Sequence, residues 1–521
     1  MIATSTRSSL SSPSGTREID AEYFEEITGG RWAVRPKPSW RYQGLCWHWD
    51  AYAPGRIIVA KGKGFRYGVD PSSLKPKMCE GGVITSANPR ALGGLPTLQV
   101  HSLSDAVRRL AQHLRSTTRT PIVAVTGSVG KTSSCHLLRH LLAPQGRVTS
   151  NGQFNYPDGI VCEMGNLGQV DYLVTEASLQ GLGEATAILK PHVAVLTQVS
   201  PAHMEESGGL LKLTEMKASL FSDLSSDGTA VINRDISCFD RALEIAQTAA
   251  ATVVTFGEHP DADFRLVGYE ASEQRVRVCI QGEPAEYTLG MRGRHMAINS
   301  LGALAAAQAL GLQWKSLILC LANAHSVAGR GALEQLVVRG VRISVVDDAY
   351  NASPAAMRAA FATLSTTTPT GTGRRIAVLS DMLELGDNFI AYHRDLAQPL
   401  LDAGVDRVYL AGRAMRSLWQ ELPPRVRTSF HKSASGLLYP LVSDLRAGDV
   451  VLLKGSHGTH MHEVASDLRT LARVPNLHGI GLWIFTFLVP AARWASSGLP
   501  AAVRRWATWH VDKFLMQRAA R

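Results

Sequence analysis

The chain has little cysteine and leaves it unpaired. Seven cysteines (Cys46, Cys79, Cys135, Cys162, Cys238, Cys279 and Cys320) are scattered over 521 residues, with no C-x-x-C pair and an odd total. That argues against both a disulfide framework and a zinc site and fits a reducing cytoplasm. Residues 1–16 are rich in Ser and Thr and lack the apolar core of a signal peptide, so 1–17 read as a disordered lead-in. The apolar stretch 480–489 ends at Pro490 and falls short of the roughly 20 residues that a membrane-spanning helix needs. The body also lacks basic residues interleaved with aromatics, which counts against a nucleic-acid partner. Much of the formal charge of +10 sits in the last segment, where Arg473, Arg493, Arg504, Arg505, Lys513, Arg518 and Arg521 face only Asp512.

What the sequence does have is a phosphate loop. In residues 121–134, PIVAVTGSVGKTSS, a buried-strand run over 122–125 ends in a turn of small residues. After Lys131 and Thr132, Leu137, Leu138, Leu141 and Leu142 recur at helical spacing. Gly127 and Gly130 allow close backbone approach to an anion, and the amides from Ser128 to Ser133 open the helix toward phosphate oxygens. Lys131 adds a positive charge, and the Thr132 hydroxyl suits Mg²⁺. The commonest spelling, G-x-x-x-x-G-K-[ST], needs Gly where this chain has Val125, so the loop is a shorter T-G-x-x-G-K-T form starting at Thr126. A Gly-rich turn with a chance lysine is the alternative, and the flanking strand and helix count against it.

The length suggests roughly three domains. An apolar content of 45% with 19% charged residues supplies their cores, and the pattern of elements is α/β. Residues 18–118 form a small α/β module, with a helix over 18–30 ended by Gly-Gly, strands at 56–60 and 82–85, and a helix over 103–114 capped by Ser102 or Ser104. The basic turn 61–66, KGKGFR, suits a polyanionic substrate and a solvated surface turn equally.

In residues 119–326 the strand 172–176 ends in Glu176, and the strand 194–198 leads to His203, at the strand ends where open parallel sheets put their chemistry. A Glu and a His converging there suit Mg²⁺, against a structural buried His as the alternative. In residues 327–472 four strands (341–346, 375–379, 406–410, 449–453) alternate with helical stretches, which predicts a parallel sheet with crossover helices. Gly412, Arg413 and residues 454–456 follow its last two strands. Residues 473–521 form an amphipathic basic tail. Its Arg504, Arg505, Trp506, Trp509 and Lys513 fit a peripheral membrane helix or a helix that contacts a protein partner.

Several stretches resemble one family together: residues 126–132, Glu176, 200–203, Lys217, 231–233, 293–295 with Asn299, 329–330, and DDAYNASP at 347–354 come in the order seen in Mur ligases. The spelling is most similar to the MurF type, which joins D-alanyl-D-alanine to UDP-N-acetylmuramoyl-tripeptide. The resemblance is strong from about 121 to 468 and weak before that. It implies a three-domain architecture with an N-terminal substrate-binding domain, a central P-loop parallel-sheet ATPase domain, and a C-terminal Rossmann-like domain that accepts the amine and swings to close the site.

The same resemblance implies ATP and Mg²⁺ as cofactors, and small-molecule acid and amine substrates. Lys131 and the loop amides would hold the ATP phosphates, Thr132 and Glu176 one Mg²⁺, and His203 a second. Lys217 sits where many of these ligases carry a carbamylated lysine; the alternative is a plain surface lysine on a helix around 213–220. Lys131, Lys217 and His203 form the implied catalytic set. Asn233 and Asn299 match adenine contacts, and Arg330 and Asp347 match a pair reaching the nucleotide from the third domain. Asn151 and Asn155 resemble the Asn-rich substrate loop, with Tyr156 where a second Asn is usual, and Tyr350, Asn351 and Lys454 complete the substrate side.

Two stretches depart from the family. Residues 44–50 lack the Ser/Thr-Arg signature that helps hold the uridine nucleotide, and His457-Gly-Thr-His460 follows Lys454-Gly-Ser456 where the family has Arg. The implied reaction is ATP-driven amide formation through an acyl phosphate, with His203 and His460 as candidates to take the amine's proton. Two substrate readings stay open, a peptidoglycan precursor ligase and a specialised ligase for another acid and amine. A non-catalytic ATP-binding scaffold at a membrane is a third. The joint presence of Lys131, Thr132, Glu176, His203, Lys217 and Arg330 counts against it.

Overall fold

The computed structural model describes residues 17–473 apart from 63–64, 153, 179–186 and 201–207. The expected lead-in, the basic tail from 474 onward and His203 therefore lie outside the described residues. Three sheets organise the rest.

The central sheet has nine strands, and its middle is made of short apolar runs. Ile122–Thr126 lies between Tyr172–Glu176 and Val193–Leu196, and Thr229–Asn233 and Thr252–Gly257 continue beyond the latter, all parallel. Strands covered on both faces read as continuous hydrophobic runs, and these do. Alternate residues serve opposite cores. Val123, Val125, Val195 and Val231 pack on one side, and Ile122, Ala124, Leu196 and Ile232 on the other. The parallel part fits the expected sheet. The far edge departs from it as an antiparallel meander, Phe264–Glu270, Arg275–Ile280 and Glu283–Thr288, whose buried residues alternate with partly exposed ones.

The first sheet has five strands, with Arg31–Val34 antiparallel on Thr97–Gln99 and then Val83–Thr85, Ile57–Val59 and Leu45–Cys46 in parallel order. The helix expected over 18–30 is Ala21–Thr28, capped by the Asp20 side chain and ended by Gly29 in the left-handed region. Leu103–Thr117 starts at Ser102, whose hydroxyl accepts from Asp105 N, which settles the cap. Phe24, Trp40, Trp47 and Leu110 of this region share a core with Ile160 and Leu196 of the central region. Full burial of such side chains stabilises by roughly 1.5–3 kcal/mol each, so the two regions dock through an apolar interface.

The third sheet has six strands. All four expected ones are present, as Val341–Asp348, Arg375–Ser380, Arg407–Ala411 and Val450–Lys454, and they are parallel. Arg427–His431 extends one edge in parallel, and Ala332–Val338 pairs antiparallel on the other. That hairpin turns through Arg339 and Gly340, both at positive φ, the geometry a two-residue turn demands. The sheet is pinned beneath by Arg374, which donates to Asp449 Oδ2 at 2.8 Å and Asp444 Oδ2 at 3.0 Å. No helix among the described residues is long and apolar enough to cross a membrane.

Candidate active site

The strand Ile122–Thr126 delivers the loop. At Gly127 (φ 147°) an added Cβ would lie 2.0 Å from Thr197 Oγ1, and at Gly130 (φ 94°) 2.7 Å from Asn299 Oδ1, so both positions need glycine. Ser128 N and Val129 N both donate to Gln198 O, at 2.8 and 3.2 Å, and Thr197 Oγ1 donates to Val129 O at 2.7 Å. The loop is thus fixed to the end of the strand Val193–Leu196. Helix Lys131–Leu142 starts at Gly130 with no side-chain cap among the described residues, the arrangement of an anion-binding helix N-terminus.

Two lysines meet on one carbonyl. Lys131 Nζ donates to Gly127 O at 2.8 Å, and Lys217 Nζ donates to the same oxygen at 3.0 Å. Lys217 lies on helix Leu210–Ala218 and is only 2% exposed, which overturns the surface-lysine alternative. Burial pushes its amine well below the ordinary 10.5, and the neighbouring Lys131 adds to the shift while Glu176 opposes it. Burial also lowers Lys131, again against the pull of Glu176. Two cations so close in a dry site favour one neutral amine or an added anion.

Thr132 is the junction of the site. Its hydroxyl donates to Glu176 Oε2 at 2.7 Å, and Arg330 Nη2 donates to the hydroxyl oxygen at 3.0 Å. Asn155 Nδ2 holds the other carboxylate oxygen of Glu176 at 2.8 Å. A hydroxyl and a buried carboxylate side by side are the few hard oxygen ligands that Mg²⁺ takes from a protein, so the residues present fit that ion.

These groups line a cavity of about 440 Å³ between the central and third sheets, within the roughly 300–1,000 Å³ of ligand sites. Ser128, Gly130, Lys131, Thr132 and Ser133 form its floor, with Glu176 and Lys217 beside them. Asn233, whose Nδ2 donates to Gln198 Oε1 at 3.3 Å, and Asn299 line one wall. The third region supplies Arg330, stacked 4.1 Å over the Tyr350 ring, together with Asn351 and Lys454. Lys454 is 1% exposed, and its Nζ donates to Asp348 Oδ2 at 2.6 Å and Asn351 O at 3.0 Å.

Four expected contacts fall elsewhere. Asp347 does not line the cavity. It is 2% exposed, accepts from Gly329 N and Ala349 N at 3.0 and 3.2 Å, and pairs with Arg469. It thereby fixes the backbone next to Arg330. Asn151 is turned inward, accepting from Glu176 N at 2.9 Å and donating to Glu176 O at 2.9 Å, so it orients the carboxylate from behind. The Thr126 hydroxyl donates to Ala177 O at 3.0 Å beneath the loop, and Gly127 meets the site through its carbonyl alone.

Asp348 and His295 stand within the family-like stretches 347–354 and 293–295 but receive no role from the sequence, and both line the cavity. Side chains alternate along a strand, so one member of the Asp347–Asp348 pair had to face the other way, but the sequence does not say which. His295 opens helix Arg294–Ala309, and burial lowers its pKa against the pull of Asp348. Residues 44–50 do a structural job instead. Leu45 N donates to Asn166 Oδ1 at 3.0 Å and Trp47 Nε1 to Glu163 Oε2 at 3.1 Å, docking the first region on helix Pro157–Met164. Of the basic turn at 61–66, Arg66 stacks 4.1 Å over Tyr156, a cavity residue.

Residues 125–307 match the Mur ligase middle domain, and residues 334–457 match the Mur ligase, glutamate ligase domain. The chain is 28% identical over 373 residues to a UDP-N-acetylmuramoyl-tripeptide--D-alanyl-D-alanine ligase of Rickettsia prowazekii, covering 70% of this chain and 82% of that one. Among solved structures, MurF from Acinetobacter baumannii superposes with a TM-score of 0.70 at 22% identity, covering 87% of this chain and 99% of the other. MurF from Thermotoga maritima in complex with ADP gives 0.66 at 22% identity, covering 85% and 98%.

Proposed function

Because the chain belongs to the Mur ligase family, we propose that it joins the carboxyl group of UDP-N-acetylmuramoyl-tripeptide to the amine of D-alanyl-D-alanine at the expense of ATP, in the cytoplasm. The division into domains 18–118, 119–326 and 327–472 belongs to this proposal, with the acid held by the first, ATP by the second and the amine brought by the third. The observation that carries it is the shared Thr132 hydroxyl, which joins Glu176 of the central sheet to Arg330 of the third region inside one cavity.

The reaction needs positioning and charge neutralisation more than side-chain chemistry. A carboxylate oxygen of the acid attacks the γ-phosphorus, the bond to the bridging oxygen breaks, and ADP leaves. The amine nitrogen then attacks the acyl carbon, phosphate departs, and the amine gives up a proton. Lys131 turns from Gly127 O to the phosphates, the open helix N-terminus holds their oxygens, and Arg330 faces the group being transferred. Mg²⁺ at Thr132 and Glu176 supplies Lewis-acid neutralisation of phosphate charge when bound. Asn233 and Asn299 edge the part of the cavity assigned to adenine, and His203 is assigned to a second Mg²⁺. Asn155, with Tyr350, Asn351 and Lys454, borders the space assigned to the acid and amine.

Lys217 has a separate part. A buried neutral amine beside Lys131 reacts with CO₂ to give a carbamate and a proton, and the new anion answers the charge of Lys131. Hydroxylamine tests the acyl phosphate: with acid and ATP but no amine, the wild type is expected to form a hydroxamate and ADP. Amide formation with no trapped hydroxamate would overturn that intermediate.

A further inference from the structure

Outside the cavity, where the last helix of the third region begins, three histidines crowd together. The helix Met461–Arg473 is preceded by His460 in the left-handed region (φ 62°), a conformation unusual for a residue with a side chain. This turn brings His460 back over the first turn of the helix. His460 Nδ1 lies 3.1 Å from Glu463 Oε1, and the metal-binding atoms offered by His460, His462 and Glu463 all lie within 4.8 Å of one another.

His462 carries the second observation. Its Nδ1 is shielded from solvent and has no hydrogen-bond partner among the described residues, the kind of orphaned group that needs an explanation. Its ring stacks on His457 at 4.4 Å and 14°, and His457 in turn meets the Tyr350 ring at 5.4 Å.

We propose that His460, His462 and Glu463 bind a divalent transition cation of the Zn²⁺ class. Two imidazoles and one carboxylate match the ligands of Zn²⁺, Co²⁺ and Ni²⁺, whereas Mg²⁺ takes oxygen ligands. Bonds of about 2.1 Å in a tetrahedron place ligand atoms roughly 3.4 Å apart, so the observed cluster closes with side-chain shifts of about an ångström. Three protein ligands leave a fourth position for water or a small ligand. Through His457 and Tyr350 the site adjoins the third-region wall of the cavity.

The test is a Co²⁺ titration of the untagged, metal-stripped full chain, read by visible ligand-field absorption and then by displacement with Zn²⁺. One Co²⁺ per chain is expected, with affinity at least tenfold weaker in His460→Ala, His462→Ala and Glu463→Gln and unchanged in Lys131→Ala. Melting curves of the metal-free variants establish that they fold, and Glu463→Gln keeps the test open if either histidine variant does not. Absence of the absorption band, or equal affinity in folded variants and wild type, would overturn the site. Since the readout is absorption and not turnover, either result leaves the proposed ligase reaction to its own test.

Discussion

Arg330 Nη2 donates to Thr132 Oγ1 at 3.0 Å, a contact between residues 198 positions apart that joins the third region to the phosphate loop. Thr132 passes the contact on to Glu176, and Arg330 is braced by Tyr350 on one side. Behind it, Asp347 and Arg469 hold the adjoining Gly329 backbone.

Arg330→Lys keeps the charge and loses the planar fork and the stacking on Tyr350. The variant is expected to lower kcat by at least tenfold with little change in melting temperature. Steady-state kinetics beside a thermal melt check this, and an unchanged kcat would remove Arg330 from the site.

Lys217 links burial to pH. Its folded amine titrates well below the ordinary 10.5, so the unfolded chain binds more protons between those two values. Stability from this group is therefore fully present above 10.5 and is lost as pH falls toward the folded value. Denaturant melts of wild type and Lys217→Met are expected to converge as pH rises, with the wild type losing ground to Lys217→Met as pH drops. Removing dissolved CO₂ is expected to reduce wild-type turnover, and bicarbonate to restore it.

Glu176→Gln keeps an oxygen beside Thr132 and removes its charge. The Mg²⁺ concentration for half-maximal activity is expected to rise by tenfold or more, since hard cations depend on ligand charge. A Mg²⁺ titration of activity at saturating ATP reads this directly; an unshifted curve would place the ion elsewhere.

Asp449 is fully buried under Arg374 and receives its Nε and Nη2. Asp449→Ala removes the fully buried one of the two carboxylates on Arg374, leaves Asp444 in place, and is expected to destabilise the third region by about 1–3 kcal/mol. Hydrogen exchange is expected to localise the loss to the third sheet while the phosphate loop keeps its protection.

The parallel strands were legible because β-branched runs buried on both faces look like little else. Tyr172–Glu176 and Val193–Leu196 therefore fell within a residue or two of where their sequences put them. Ala332–Val338 was missed because an edge strand is only half covered and mixes Glu and Gln with its apolar residues. The burial of Lys217 was illegible for a related reason. Leu211 on the same short helix is 54% exposed while Lys217 is 2%, so its apolar pattern does not mark the inner face. The resemblance found residues that line the cavity, but not which of Asp347 and Asp348 faces it, since that depends on the parity of one strand.

The central claim is tested most directly by measuring ADP and amide formation with purified full chain, ATP and Mg²⁺, supplying UDP-N-acetylmuramoyl-tripeptide and D-alanyl-D-alanine together and singly, with Lys131→Ala as control. The account predicts one amide per ADP, dependent on both substrates and at least a hundredfold lower in Lys131→Ala. No amide with both substrates present, from a chain that still binds ATP, would contradict it and leave a ligase of this family with another acid and amine.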